Sequence, residues 1–169
     1  MSSILPFKRI ECPIMRAYIA GILDFNSTFV IWRGTRSGWV HWTCRISVST
    51  CETRLISLLN EQFRVQQITY KTKVPHPTTW RKTNEHSKRL ICTWTATGGL
   101  LDHIIEIMLP HSIFNREFIE IIAEFRPLLH RSVRISCAVP SDVQARRDEL
   151  YNKFLSIERR NFKMAAKSK

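Results

Sequence analysis

The chain has 169 residues, 44% of them hydrophobic, so it is long enough for one domain with a real core and too apolar to stay disordered. Lys and Arg number 26 against 14 acids, a net charge of +12, which predicts a polyanionic partner. No apolar run reaches transmembrane length, the N-terminus lacks a signal peptide's apolar stretch, and no long basic amphipathic helix outside the C-terminal region favours a membrane surface.

Residues 1–13 form a short lead, and Pro13 suits the first turn of a helix. In that helix Ile14, Tyr18, Ile22 and Leu23 recur at helical spacing. Ala20 and Gly21 stand among them with almost no side chain, so another backbone can approach closely there. Asp24 and Asn26 fall at the C-terminal end, where the helix dipole disfavours a carboxylate. Asp24 therefore needs compensation: a metal ion, a capping contact or water.

Residues 27–33 are β-rich, 34–38 read as a hairpin turn with glycine at both ends, and 39–49 alternate cleanly. Val40, Trp42, Cys44, Ile46 and Val48 fall on one face, with His41, Thr43, Arg45 and Ser47 on the other. Residues 52–63 form an amphipathic helix with Leu55, Leu58, Leu59 and Phe63 inward, and Ser49 or Thr50 is placed to cap it. A third strand, 65–74, sets Gln67, Thr69, Lys71 and Lys73 on its polar side. A polar loop, 75–88, carries His76, Trp80, Arg81, Lys82, His86 and Lys88. A fourth strand, 89–97, sets Leu90, Cys92, Trp94 and Ala96 against Arg89, Ile91, Thr93 and Thr95, and Gly98-Gly99 breaks it.

Helices follow over 100–108 and 115–125, with Phe118, Ile119, Ile122 and Phe125 inward and Pro127 as the stop. Residues 131–169 comprise a linker or short strand, a charged helix from Ser141 to about 161 and a basic tail. The expected class is α+β: a four-stranded antiparallel sheet packed on helices through its apolar face, its polar and basic face left open. The five cysteines, Cys12, Cys44, Cys51, Cys92 and Cys137, contain no Cys-x-x-Cys pair, which argues against zinc and for a reducing compartment. Cys44 and Cys92 read as small core residues.

The run Ile19-Ala20-Gly21-Ile22-Leu23-Asp24, followed by Phe25-Asn26-Ser27-Thr28-Phe29, resembles the motif of the LAGLIDADG homing endonucleases, in single-motif form. The element order over residues 14–130 matches that family's domain. The resemblance implies a saddle-shaped sheet that binds nucleic acid, and motif helices that pair through small residues, here Ala20 and Gly21. It also implies acids at the motif ends that hold divalent metal, Mg²⁺, for phosphodiester hydrolysis.

In the family the second acid of the motif is the essential one, and Asn26 stands there, a weak substitute for a carboxylate at Mg²⁺. Asp24 corresponds to the acid that mainly caps, and it is the metal ligand to consider if the protein is active. Thr50 and His111 fall at helper positions and are also altered. On the open face the expected nucleic-acid contacts are Trp32, His41, Thr43, Arg45, Gln67, Lys71, Lys73 and Arg89, with Arg81 and Lys82 from the loop. Thr28 and Val30 share the face with Trp32.

The reading is a nucleic-acid-binding protein without cleavage activity or cofactor, holding structured RNA in preference to duplex DNA, as in an intron ribonucleoprotein or an organellar ribosome. The family's habitat implies an organelle, a mitochondrion. The alternatives are an active Mg²⁺-dependent endonuclease cutting duplex DNA as a homodimer, and a protein–protein scaffold.

Overall fold

The computed structural model describes residues 7–36, 39–65, 72–74, 89–130 and 139–167. The elements run α1 (Pro13–Asn26), β1 (Ser27–Arg36), β2 (Trp39–Thr50), α2 (Thr53–Phe63), β3 (Thr72–Val74), β4 (Arg89–Ala96), α3 (Gly98–Met108), α4 (Arg116–His130) and α5 (Ser141–Lys167). The strands are antiparallel in the order β1-β2-β4-β3. β4 changes partner along its length: Cys92 to Ala96 pair with β2, and Arg89 to Ile91 pair with the three described residues of β3.

The β1–β2 ladder extends from Ser27↔Val48 to Arg36↔Trp39. Gly34, expected in the turn, is instead a strand residue opposite His41. Alternation sorts the faces as anticipated. Phe29, Ile31, Trp42, Cys44, Ile46, Val48, Cys92, Trp94 and Ala96 are buried against the helices. Val40 departs from its series and is exposed, because it lies beyond the reach of the helical layer near the hairpin tip.

The core joins this sheet face to α1, α2, α3, α4 and α5. Phe63 stacks on Trp94 at 5.6 Å, Trp42 meets Phe125 and Tyr151 edge-on, and Phe118 lies between Phe29 and Phe154. α5 is thus part of the same core as α4 and β2. The described part of the lead, residues 7–12, is docked as well. Ile10 is buried, its N–H donates to His103 Nε2 at 2.9 Å, and Lys8 N–H donates to the Phe63 carbonyl. His103 therefore sits buried as the Nδ1–H tautomer, facing Glu106 at 3.3 Å. Burial pushes its pKa below the ordinary value against the opposing pull of Glu106.

Several elements differ from their sequence-based form. On α2 the buried positions are Ile56, Leu59 and Phe63, with Leu55 and Leu58 half-buried. Thr50 Oγ1 accepts the Glu52 N–H at 3.0 Å and so fixes the entry to that helix. Gly98 opens α3 at φ +58°, a left-handed conformation that favours glycine. Pro127 lies inside α4 instead of ending it. Beyond it the Leu128 carbonyl accepts Arg147 Nη2 at 2.6 Å, a side-chain donor supplied by α5. α5 continues to Lys167, so residues 163–167 extend a helix that was expected to fray. No helix among the described residues is long and apolar enough to cross a membrane.

Cys44 and Cys92 are buried, whereas Cys12 and Cys51 are exposed. Burial pushes the Cys44 thiol up to about 12. At mildly alkaline pH its thiolate fraction, and hence its alkylation rate, falls on the order of a thousandfold below that of a free cysteine. Peptide-resolved alkylation of the native protein should mark Cys12 and Cys51 and spare Cys44 until denaturant is added. Equal labelling of all three would contradict this core.

Candidate nucleic-acid interface

Five hydrogen bonds converge at the end of the motif helix. Asp24 is only 5% exposed. Its Oδ1 accepts Ser112 Oγ at 2.5 Å and Asn115 N–H at 2.9 Å. Its Oδ2 accepts the N–H groups of Ile113 at 2.7 Å and Phe114 at 2.9 Å. Asn115 Nδ2 returns a bond to the Asp24 carbonyl. Burial pushes the carboxyl upward, but the Ser112 hydroxyl and the three backbone donors outweigh it and hold the pKa below 3.8. Of the three compensations named for this acid, a capping contact is made. Asp24 caps the approach to α4 across the α3–α4 loop.

Asn26 is exposed, and its Nδ2 donates to the Ile22 carbonyl at 2.8 Å, closing the last turn of its own helix. The β1–β2 register carries Thr50 past the partner of Ser27 to the same end of the sheet, and the Asp24 bonds draw in the 109–115 loop, which contains His111. The four expected catalytic positions therefore gather at one end of the molecule. Each Asp24 oxygen already accepts two donors, Asn26 is neutral, and Thr50 Oγ1 is engaged with the backbone.

The two small residues of the motif part company. Ala20 is fully buried in this chain's own core, whereas Gly21 is exposed with nothing within 4 Å of where a Cβ would stand. Ile14 and Tyr18, counted with the apolar helix face, are 82% and 55% exposed, and Phe25 is 76% exposed. The helix buries Ile19, Ala20, Leu23 and Asp24 instead and leaves a second apolar stripe to solvent.

The open sheet face has Trp32, Thr43, His41 and Arg45 where alternation expects them: Trp32 opposite Thr43, and Val30 opposite Arg45. Sequence reasoning gave less weight to the hydroxyls around them. Ser47 Oγ and Thr95 Oγ1 are 3.2 Å apart, and Ser49 Oγ and Thr93 Oγ1 are 3.0 Å apart, each a directly opposed pair across β2 and β4. The signal was the Ser-x-Ser and Thr-x-Thr spacing, but the register was needed to join them. No acidic residue lies among the described positions of this face, and Arg45 is an exposed cation on it.

Gln67, Lys71, Arg81 and Lys82 fall outside the described residues. Arg89 and Lys73 are placed by register alone, and it separates them. Arg89 pairs with Val74, whereas Lys73 pairs with Leu90, a position of the apolar series. The grouping of Lys73 with Arg89 on one face is corrected accordingly.

Several acids on the helices are matched by arginines. Arg126–Asp102 is 2.7 Å, Arg9–Glu106 is 2.6 Å, and Arg116–Glu120 is 2.9 Å. Arg146 spans Glu124 and Glu149, and Arg160 holds Glu117. Arg33 lies over Trp42 at 5.3 Å and 3.4 Å from Asp148. A cavity of about 640 Å³ opens between the start of β1 and α5, lined by Ser27, Phe29, Phe118, Arg159 and Phe162.

The antiparallel sheet in the order β1-β2-β4-β3 with helices on one face has the fold of the LAGLIDADG homing endonucleases. The chain is similar to the homing endonuclease I-CvuI in complex with its target in the presence of calcium, at 15% identity and a TM-score of 0.55, covering 83% of this chain and 82% of that one. It is similar to the archaeal intron-encoded homing endonuclease I-Vdi141I complexed with DNA, at 10% identity and 0.55, covering 83% and 84%. It is also similar to the LAGLIDADG homing endonuclease I-LtrWI bound to target DNA, at 12% identity and 0.56, covering 80% of this chain and 43% of that one. No sequence-family model and no curated protein matches the chain.

Proposed function

We propose that this protein binds nucleic acid through the open face of its sheet and does not cleave it. The observation that carries the reading is the motif end. Asn26 replaces the acid and turns its amide onto its own helix, while the carboxylate of Asp24 is consumed by four donors. The I-CvuI, I-Vdi141I and I-LtrWI structures are complexes with DNA, which supports nucleic acid as the class of partner. The charge of +12 and the absence of acids from the described face support it electrostatically.

RNA is favoured over duplex DNA because an indole, 52% exposed at Trp32, stands on a face where hydroxyls pair across β2 and β4. The setting we propose is an organellar, mitochondrial ribonucleoprotein. There the apolar stripe of α1 packs on a second copy of the chain or on a neighbouring protein.

Purified protein with Mg²⁺ should leave duplex DNA uncut while retaining it in a salt-dependent binding assay. Efficient metal-dependent cutting that is removed by Asn26→Ala would establish an active endonuclease instead. If neither DNA nor RNA is bound at low salt, the scaffold reading takes its place.

A further inference from the structure

Gly34 and Trp32 are two residues apart on β1 and share the open face, where Gly34 pairs with His41 and Trp32 with Thr43. The six-membered ring of the Trp32 indole covers Gly34. A Cβ placed on that glycine would collide with Cη2, Cζ2 and Cζ3 of the ring. The His41 ring stands beside the indole at 6.3 Å and 66°, edge to face. Trp32 nevertheless remains 52% exposed. One side of the indole is therefore occupied by the sheet backbone, and the other is turned away from it.

From this arrangement we propose that Gly34 seats the Trp32 indole as a stacking platform for an unpaired nucleobase. The inference rests on the nucleic-acid reading above and assigns a chemical class of ligand to one spot on that face. An aromatic plane laid along a strand offers π-surface, which every base can use. Bases within a duplex have their faces covered by neighbouring pairs, so the platform selects looped or single-stranded nucleic acid. Thr43 lies opposite Trp32, and Arg45 is exposed one further step along β2. They supply a hydroxyl and a cation for the sugar-phosphate that carries the stacked base. Gly34 is a positioning residue: it touches no ligand and acts by leaving room beneath the ring.

This predicts an effect from a single methyl group. In Gly34→Ala the far end of the indole must swing off its seat, a movement the backbone does not oppose. The test compares binding of a short unstructured RNA oligonucleotide and of a duplex DNA of matching sequence to four proteins: wild type, Gly34→Ala, Trp32→Leu and the double variant. Trp32→Leu and Gly34→Ala should each weaken RNA binding by about tenfold and leave duplex binding within about twofold. The double variant should be no weaker than Trp32→Leu alone, because the glycine acts only through the ring. Arg45→Ala should instead weaken both ligands and flatten the salt slope by about one unit.

Wild-type RNA affinity in Gly34→Ala, with an unchanged melting temperature, would overturn the seat. Loss of duplex binding alone in Trp32→Leu would overturn the selectivity for unpaired bases. An intact response to Arg45→Ala with no response to Trp32→Leu would remove the platform while sparing the broader reading. Absence of all nucleic-acid binding would remove both.

Discussion

Replacing Asp24 with alanine is expected to destabilise the fold by about 3–5 kcal/mol, since a hydrogen bond to a charged acceptor contributes roughly 1.5–3 kcal/mol and its loss strands the donors. Three of the four donors are backbone N–H groups of Ile113, Phe114 and Asn115, which cannot rotate to find other partners. The effect should be pH-dependent with a definite sign. Burial raises the Asp24 pKa, the hydroxyl and amide donors lower it further than burial raises it, and the folded value lies below the ordinary 3.8. The carboxylate's contribution is thus fully present above 3.8 and is lost as pH falls through the folded value. Urea unfolding of wild type and Asp24→Ala should show a large gap at neutral pH that narrows in acid. A gap of constant size from neutral pH into strong acid would mean that the charge of Asp24 does not hold the α3–α4 loop.

Gly21→Leu is expected to abolish self-association while making the isolated chain more stable. The two effects separate because of where Gly21 lies. Among the described residues nothing beyond its own helix backbone stands within 4 Å of a Cβ there, so the position is open in the monomer. The substitution also removes a glycine from a helix interior, worth about 0.5–1 kcal/mol. Between two copies of α1 the same side chain would hold the backbones apart. The case for a partner is the stripe of Ile14, Tyr18 and Phe25, exposed by 82%, 55% and 76% on a helix whose opposite face is already buried. A helix apolar on both sides is normally covered on both. Sedimentation equilibrium should find wild type dimeric and Gly21→Leu monomeric, with the variant unfolding at higher urea. A wild-type chain that stays monomeric at high concentration would assign the stripe to a different protein.

The legible parts of this molecule were those decided by short-range pattern. β2 alternates between a core and an open face, and nothing else competes with that period, so Trp42, Cys44, Ile46 and Val48 could be named as buried from sequence. α1 was harder. Ile14, Tyr18, Ile19, Ile22, Leu23 and Phe25 are spread around the helix, and periodicity cannot say which side faces home. Ala20 and Gly21 looked equivalent for the same reason, yet only Gly21 is open.

Pro127 misled because a proline was read as a stop, whereas α4 continues through it to His130, where Arg147 of α5 serves the Leu128 carbonyl in the last turn. Lys73 was assigned by alternation within its own strand, but a face is fixed by register with the neighbour, and that pairing sets it opposite Leu90. The helix dipole correctly flagged Asp24 as needing a partner. It could not point to Ser112, 88 residues away. The platform at Trp32 was half legible: its exposure followed from alternation, while its seat depends on a glycine expected in a turn.

The α3–α4 loop can also be regarded as an anion receptor whose ligand is carried by the same chain. Three converging N–H groups and a hydroxyl are a constellation that elsewhere captures phosphate, and here it is filled by the carboxylate of Asp24. Tethering makes occupancy a matter of effective concentration rather than supply, so salt or free phosphate should compete poorly for it. The same occupancy withdraws these donors from the surface. A polynucleotide approaching this end of the molecule meets a receptor already satisfied, and its phosphates must seek their contacts elsewhere.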